Sequence, residues 1–211
     1  MKRIVIDGTV GSGKTTLIKG YSLKGISSPN QEVKTYPCLA NLGYNTIGEA
    51  IRGTIAHFRE NGKEPYELIN GKRIASQGYI DYVIDLSVKQ FHAAKPNQTT
   101  FYDRGIPYLE LHAKFFGEKV PKKYYEYCKK YRYDNPVFVV SPIPTLNLEN
   151  PLPGDEKIKI YTWKMREDEH QKTMEIYKNF GYEVVEVPIM HENMITNINM
   201  RLDFIKKYLK L

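Results

Sequence analysis

Apolar residues form short continuous runs along the chain, and the pattern of apolar and polar residues predicts five β-strands. The clearest runs are Ile4-Val5-Ile6 near the start and Val137-Phe138-Val139-Val140 in the second half. A continuous apolar run of this length is typical of a strand that is buried on both faces, as in a parallel sheet. The predicted strands cover Lys2–Ile6, Glu32–Tyr36, Thr99–Tyr102, Pro136–Ser141 and Tyr182–Val187.

Between these runs, apolar residues recur every three or four positions, which is the period of an amphipathic helix. Thr46 and Glu49 have the spacing of a capping box and predict that a helix starts at Thr46. The predicted helices run from Lys14 to about Tyr21, from Thr46 to about Gly62, and over Arg73–Ala94, Ile106–Phe116, Pro121–Tyr131, Tyr161–Phe180 and Ile195–Leu209.

The alternation of strands and helices predicts an α/β fold of three α/β/α layers around a mainly parallel five-stranded sheet. We expect one domain over residues 1–211, with a lid-like segment at 142–166 that contains a proline-rich loop. Ligands of such sheets bind beyond the carboxyl ends of the strands. Gly8–Thr15, Asp103 and Ser141–Pro144 are therefore expected along one rim.

A glycine-rich stretch, Gly-Thr-Val-Gly-Ser-Gly-Lys-Thr, follows the first predicted strand directly and precedes a helix. This G-x-x-x-x-G-K-[ST] pattern predicts that backbone amides and a helix N-terminus bind a nucleotide triphosphate. Lys14 would reach the β- and γ-phosphates, and the Thr15 hydroxyl would hold Mg²⁺. The alternative is a glycine-rich turn without a ligand. The predicted nucleotide-binding residues are Gly8, Thr9, Val10, Gly11, Ser12, Gly13, Lys14, Thr15 and Thr16.

Composition narrows the class of protein only slightly. The formal net charge is +7, which favours anionic partners but does not separate nucleotides from nucleic acid. Cys38 and Cys128 are too few for a disulfide framework and indicate a cytoplasmic protein with reduced thiols. The first strand starts almost at once, so no signal peptide is expected, and no apolar run is long enough to span a membrane.

Asp103 and Arg104 follow the third predicted strand at the same rim as the glycine-rich stretch. The Asp103 carboxylate could hold Mg²⁺, directly or through water, or take a proton from an attacking hydroxyl. The planar guanidinium of Arg104 could grip a phosphate. The alternative is a helix cap at Asp103 and a surface arginine at Arg104.

The glycine-rich stretch together with Phe101-Tyr102-Asp103-Arg104-Gly105 resembles the P-loop nucleoside and nucleotide kinases. Tyr131-Arg132-Tyr133-Asp134 and the later segment Gly181–Pro188 are similar to the NadR-like kinase/ATPase family, which includes ribosylnicotinamide kinases. The resemblance covers nearly the whole chain. It implies an ATP- and Mg²⁺-dependent phosphotransferase with a P-loop kinase fold. GTP remains an alternative donor.

The acceptor is less clearly indicated. Gly48–Arg52 resembles the corresponding stretch of thymidylate kinases, but Thr35–Cys38 lacks the Arg and Glu that this family would have there. The related deoxynucleoside kinases place a Glu at the end of strand two, whereas no acid closely follows the predicted strand that ends at Tyr36.

A sugar hydroxyl benefits from a general base. Without an acid after strand two, that base would be Asp103, or Asp81, Asp85 or Glu49 would have to move in. A phosphate acceptor needs only cations, so this reasoning favours a nucleoside monophosphate over a nucleoside. The predicted acceptor-binding residues are Arg52, Arg73, Gln77 and Asp81; solvated helix surface is the alternative for the two arginines.

The resemblance also implies a lid cation that contacts the transferring phosphates. The basic start of the helix after the proline-rich loop offers Lys159 and, about two turns later, Arg166. We expect Lys159 to contact the nucleotide and Arg166 to act in catalysis together with Lys14, Asp103 and Arg104. The alternative is a basic, solvated helix face.

Two other functional classes remain open from the sequence. The chain could be a nucleotide-dependent ATPase or regulatory protein, although it lacks the Asn-Lys-x-Asp segment of regulatory GTPases. It could also act on DNA or RNA, because tyrosines and basic residues alternate over residues 122–133 and could stack on single strands. A membrane partner is not expected, and monomer and homodimer both stay open.

Overall fold

The structure is a computed structural model that describes residues 1–20, 37–70, 72–144 and 162–211. The predicted strand Glu32–Tyr36 and the predicted nucleotide contact Lys159 lie outside these residues. So does most of the segment predicted as a lid, from 145 to 161.

Five parallel strands form the central sheet. They are β1 (Arg3–Gly8), β2 (Asn45–Ile47), β5 (Thr100–Asp103), β6 (Val137–Val140) and β7 (Val184–Val187). Their order across the sheet is β2-β5-β1-β6-β7, so β1 and its following loop lie at the centre. Strands β3 (Tyr66–Ile69) and β4 (Lys72–Ala75) form a separate antiparallel hairpin.

The helices lie on both faces of the sheet. They are α1 (Lys14–Lys19), α2 (Ala50–Glu60), α3 (Tyr79–His92), α4 (Leu109–Phe115), α5 (Lys122–Lys130), α6 (Trp163–Asn179) and α7 (Met194–Leu209), with a 3₁₀ turn at Ile106–Tyr108 before α4. None of the described helices combines the length and the apolar character needed to cross a bilayer.

Side-chain alternation along the strands divides the core into two layers. Ile4 and Ile6 of β1 pack with α1 and α7, whereas Val5 between them packs with α2 to α6 on the other face. All three side chains are fully buried. This arrangement confirms the predicted three-layer α/β/α fold and explains why β1 has no polar position between Ile4 and Ile6.

The long helix predicted over Arg73–Ala94 is shorter in the structure. Its first part, to Ala75, belongs to strand β4 of the hairpin, and the helix α3 begins only at Tyr79. The sequence contains a signal for this turn, Asn70-Gly71, which is a favoured hairpin pair. Asn70 has φ of 50°, as such turns require. The apolar residues of α3 have helical spacing, and the predicted helix was wrongly extended from them back to Arg73.

The predicted helix start at Thr46 is also wrong. Thr46 lies in β2 and pairs with Phe101 of β5. The helix α2 begins at Ala50, with Glu49 as the residue that precedes it. The side chain of Glu49 does not cap the helix, because Arg104 binds it instead. Glu49 therefore follows the edge strand of the sheet by two residues.

Candidate active site

The loop between β1 and α1 has space for backbone but not for side chains at two of its glycines. Gly8 has φ of +149°, and a Cβ atom there would lie 2.6 Å from the carbonyl oxygen of Val140. Gly13 has φ of +85°, and its Cβ would lie 2.7 Å from Cδ1 of Ile198. Glycine alone fits such positions without displacing a neighbour. The loop therefore makes the close backbone approach that the motif requires.

Lys14 begins α1 at the end of this loop and is only 5% exposed. Burial lowers the pKa of Lys14, and the charge of Arg104 lowers it further. The carboxylates of Glu49, Asp103 and Asp7 act in the opposite direction, but the pKa of Lys14 stays below its usual value. The lysine predicted to reach the phosphates therefore lies among the acidic groups at the strand ends.

Thr15 and Asp103 are brought together as predicted. The Thr15 hydroxyl donates a 2.8 Å hydrogen bond to Oδ2 of Asp103. The other carboxylate oxygen, Oδ1, is buried and has no hydrogen-bond partner among the described residues. A buried carboxylate oxygen without a partner, next to a hydroxyl, suits Mg²⁺, which takes oxygen ligands and is usually held by one or two carboxylates plus phosphates.

No group of three or more His, Cys, Asp or Glu side chains within the described ranges could hold a metal ion by itself. A magnesium ion in a kinase site is bound by one or two protein groups and otherwise by the phosphates of the nucleotide. Thr15 and Asp103 are the residues that would hold it.

Arg104 is the centre of a buried ionic network. Its Nη1 donates to Oδ1 of Asp7 at 3.1 Å, and its Nε lies 2.6 Å from Oε1 of Glu49. Oε1 of Glu169 lies 3.9 Å from Nη2, and the guanidinium lies over the ring of Tyr108. Arg104 is thus neither a surface arginine nor a free phosphate ligand. Its positive charge is already opposed by carboxylates.

Glu49 lies between two arginines. Oε1 faces Arg104, and Oε2 accepts a 3.1 Å hydrogen bond from Nε of Arg52. Burial would raise the pKa of Glu49, but the positive charges of Arg104, Lys14 and Arg52 outweigh burial and lower it. Glu49 is therefore ionised at neutral pH. It is an acid after the edge strand, which the sequence interpretation sought after Tyr36.

Asp7 and Tyr177 belong to the ionic network of Arg104 through hydrogen bonds. Neither residue was among the predicted site residues. Asp7 is fully buried at the end of β1, and burial raises its pKa despite the nearby Arg104. The Tyr177 hydroxyl donates a 2.6 Å bond to Oδ2 of Asp7 and accepts one from the amide of Gly105. A buried charge needs such partners, and an Asp directly before the glycine-rich loop was the available signal.

Glu169 is a further acidic group that the sequence interpretation missed. It lies on α6, is 3% exposed, and accepts a 2.8 Å hydrogen bond from the hydroxyl of Tyr108. Burial raises its pKa, whereas Arg104 lowers it. Helical spacing alone placed Glu169 no differently from its exposed neighbours, so no sequence signal distinguished it.

The four predicted acceptor-binding residues lie in different surroundings. Arg52 contacts Glu49 but its side chain is 62% exposed. Arg73 lies on β4 rather than on a helix, with its guanidinium over the Tyr66 ring. Gln77 is exposed in the turn before α3. Asp81 is 58% exposed and forms a 2.8 Å ion pair with Lys123, so the structure commits it to the α3–α5 surface.

An aromatic cluster lies between Glu49 and the hairpin. The Tyr79 hydroxyl and Nε2 of His112 are 3.2 Å apart, and the ring of Phe116 packs against both side chains. Burial lowers the pKa of His112 to about 3, although the negative charge of Glu49 acts against this. His112 is therefore neutral at physiological pH. The charges of both Glu49 and Arg73 act on Tyr79 and His112, so this aromatic cluster lies close to the ionic network and to Arg73.

Arg166 lies in the first turn of α6 and is 5% exposed. It donates a 3.1 Å hydrogen bond to the carbonyl of Ile143, whose amide in turn donates to the carbonyl of Gly11 in the glycine-rich loop. Burial lowers the pKa of Arg166. The predicted lid arginine is therefore one residue removed from the phosphate loop. Ile143, in the predicted rim segment Ser141–Pro144, therefore lies next to the glycine-rich loop.

The fold and this loop are those of a P-loop protein with three α/β/α layers. A family model described as AAA domain matches residues 3–193, so the chain belongs to that family. No curated protein matches the chain.

Two solved structures share the fold. A crystal structure of the NadR protein in complex with NR has a TM-score of 0.60 and 16% identity. It covers 100% of this chain, and the chain spans 52% of that protein. A structure of deoxyadenosine kinase from M. mycoides, with products dCMP and a flexible dCDP bound, has a TM-score of 0.52 and 16% identity, over 99% of this chain and 98% of that one. At these identities the likeness establishes the fold, in agreement with the P-loop kinase resemblance of the sequence.

Proposed function

We propose that the protein is a phosphotransferase that moves the γ-phosphate of ATP to a hydroxyl of a nucleoside-type small molecule. The observation that carries this proposal is one arrangement at the strand ends. The phosphate loop with Lys14, the Thr15–Asp103 pair and the ionised Glu49 on Arg104 lie together at one rim. These are the parts that phosphoryl transfer requires: a grip on the triphosphate, a metal site and a group that orients the nucleophile.

The donor side of the reaction belongs to the loop. Lys14 and the loop amides would stabilise the charge that develops on the transferring group. Mg²⁺, held by Thr15 and Asp103, would supply charge neutralisation on the phosphate oxygens. Arg166, which has no carboxylate partner among the described residues, would complete this cationic environment from the start of α6.

The acceptor side belongs to Glu49. An ionised carboxylate accepts a hydrogen bond from a hydroxyl group, orients its oxygen and takes its proton as the bond to phosphorus forms. Arg104 fixes the carboxylate through Oε1, and Arg52 binds Oε2 from the exposed side. A hydroxyl that replaced Arg52 would therefore meet the free lone pairs of Oε2.

The charges of the site favour a nucleoside over a nucleoside monophosphate, in contrast to the preference drawn from the sequence. That preference rested on the absence of an acid after strand two and on Arg104 as a free cation. Glu49 supplies the acid, and Arg104 is bound to carboxylates. An acceptor phosphate placed at Oε2 of Glu49 would be repelled by that carboxylate, and the guanidinium of Arg104 is already bound to Glu49 and Asp7. The two solved neighbours, one in complex with NR and the other with dCMP bound, agree with a nucleoside-type acceptor.

We further propose that residues 1–211 form one kinase domain and that 142–166 serves as its lid. Closure is needed because water would otherwise compete with the acceptor for the phosphate. The support within the described residues is the contact of Arg166 with Ile143, which ties the start of α6 to the loop. Lys159 remains a candidate for a second contact with the nucleotide.

Acceptor-dependent release of ADP tests the proposed function. Purified protein with ATP and Mg²⁺ is supplied with nucleosides, nucleoside monophosphates or single-stranded oligonucleotides in separate reactions. We expect ADP release to rise with a nucleoside and the product to be its monophosphate. Equal ADP release with and without every acceptor would instead indicate an ATPase. Transfer to oligonucleotides alone, falling steeply with salt, would indicate a nucleic-acid kinase.

A further inference from the structure

Arg201 of α7 is the largest fully buried side chain among the described residues. Its three nitrogen groups each donate to a different backbone carbonyl. Nη1 donates to Ser12 at 2.8 Å, Nη2 to Ser141 at 2.9 Å and Nε to Pro188 at 2.9 Å. One side chain thus joins the phosphate loop to the segments that follow β6 and β7.

The charge of Arg201 has no ionic partner among the described residues. Burial lowers its pKa to about 10, which leaves the guanidinium protonated at neutral pH. Buried charges are usually paired, because removal from water is costly. A buried cation without an ionic partner, directly behind a loop built for phosphates, favours the binding of an anion in that loop.

The bond to Ser12 also fixes the direction of an amide. In a trans peptide unit the carbonyl oxygen and the following N–H point in opposite directions. Because the Ser12 carbonyl points back at Arg201, the N–H of Gly13 points away from α7 and into the loop. Gly13 is the last glycine before Lys14, so its amide is one of those that the motif directs at the phosphates.

The same face of α7 holds the loop by a second contact. Ile198 lies three residues before Arg201, on the same side of the helix. Its Cδ1 would be 2.7 Å from a Cβ at Gly13, so Ile198 fills the space that a side chain at residue 13 would occupy. The helix α7 therefore contacts the Ser12–Gly13 peptide through both a polar and an apolar group.

We propose that Arg201 is a positioning residue for triphosphate binding, which aims the Gly13 amide at the phosphates and adds an unpaired positive charge behind them. This role rests on the proposed nucleotide site in the loop. It differs from a purely structural role, in which Arg201 would hold three loops together without any effect on nucleotide affinity beyond the loss of folded protein.

Two substitutions separate charge from geometry. Arg201→Met removes the charge and all three donors, whereas Arg201→Lys keeps the charge but loses the planar fork that serves three carbonyls at once. Ile205→Ala is the matched control, because Ile205 is a fully buried core residue of the same helix. It removes buried apolar contacts of α7 and leaves the three hydrogen bonds of Arg201 in place.

Calorimetric titration with Mg²⁺–ATP, without acceptor, measures the affinity of each folded protein. We expect Arg201→Met to weaken binding by about tenfold or more, Arg201→Lys by less, and Ile205→Ala not at all, as for the loss of a charge-assisted contact. If the Met variant does not fold, the Lys variant decides alone. Wild-type affinity in whichever Arg201 variants fold would overturn the proposal. Absence of binding to the wild type would instead refute the nucleotide site itself.

A second readout reports on the amide directly. Ser12-Gly13 is the only Ser-Gly pair in the chain, so carbonyl-labelled serine with nitrogen-labelled glycine gives one resonance for the Gly13 amide. We expect Mg²⁺–ATP to shift this resonance strongly in the wild type and in Ile205→Ala, and less in the Arg201 variants at saturation. An equal shift in all proteins would contradict the positioning of Gly13 by Arg201.

Discussion

Nε of Arg104 lies 2.6 Å from Oε1 of Glu49, and both side chains are buried. The two residues come from different strand ends, β5 and β2, and are 55 positions apart in the chain. Their pairing keeps Glu49 ionised and directs its second oxygen outward to Arg52. This pairing is the reason that we assign the acceptor hydroxyl to Glu49 and not to Asp103.

Replacement of Glu49 should therefore affect transfer and not donor binding. We expect Glu49→Gln to lower kcat by about 10²- to 10⁴-fold, the usual contribution of a general base. The affinity for Mg²⁺–ATP should stay unchanged in a calorimetric titration. Glu110→Gln is the matched control, since Glu110 pairs with Lys114 on α4, and should keep wild-type kcat. Equal kcat in both variants would exclude Glu49 as the base.

Arg52 should set the acidic limit of activity. Its charge contributes to the lowered pKa of Glu49, so removal of that charge raises the pKa. A profile of kcat/KM against pH should then lose activity at a higher pH in Arg52→Gln than in the wild type. Arg52→Lys keeps the charge and should leave the limit close to its wild-type position. An unchanged profile in Arg52→Gln would show that Glu49 does not limit the reaction in acid.

Tyr177 should affect both stability and catalysis through Asp7. Tyr177→Phe leaves Oδ2 of Asp7 and the amide of Gly105 without this partner in a buried place. We expect the free energy of unfolding in urea to fall by about 2–4 kcal/mol, the cost of two unpaired buried groups. kcat should fall as well, since Asp7 orients Arg104.

Tyr182→Phe is a useful comparison, because Tyr182 is also buried but bonds to the amide of Tyr133, away from the ionic network. It should lower stability with little change in kcat. A wild-type kcat in Tyr177→Phe would show that Asp7 and Arg104 keep their positions without the tyrosine hydroxyl.

His112 should make the fold sensitive to acid. Burial lowers its pKa to about 3, whereas the unfolded chain binds a proton with a pKa near 6.5. Protonation therefore favours the unfolded state, and stability is lost as pH falls below about 6.5. Relative to His112→Asn, the wild type should lose about 2 kcal/mol between pH 7 and pH 5. Parallel stability profiles for the two proteins would contradict a buried, neutral His112.

The sequence predicted the central part of the molecule because its signals are local. The apolar runs of β1 and β6 are continuous, and the glycine-rich loop joins a strand to a helix at a fixed spacing. These features needed no knowledge of distant contacts. The Thr15–Asp103 contact followed from the rule that parallel strands end at one rim.

The acceptor side was harder to predict, because it depends on which strand lies at the edge of the sheet. The short strand Asn45–Ile47 has only three residues and no continuous apolar run, so Thr46 and Glu49 read as a capping box. For this reason Glu49 was predicted to lie in a helix and not after a strand. Arg201 and Glu169 gave no local signal at all, since their roles come from contacts across 189 and 61 positions.

Transfer of label from ATP radiolabelled at the γ-position to a pool of nucleosides tests the central claim most directly. With the wild type, we expect the label to appear in a nucleoside monophosphate. With Lys14→Ala, we expect a folded protein that forms no labelled nucleoside monophosphate. This result would show that Lys14 is needed to stabilise the charge that develops on the transferring group. Label found only in inorganic phosphate, or unchanged transfer by folded Lys14→Ala, would contradict the assignment of this site as a kinase centre.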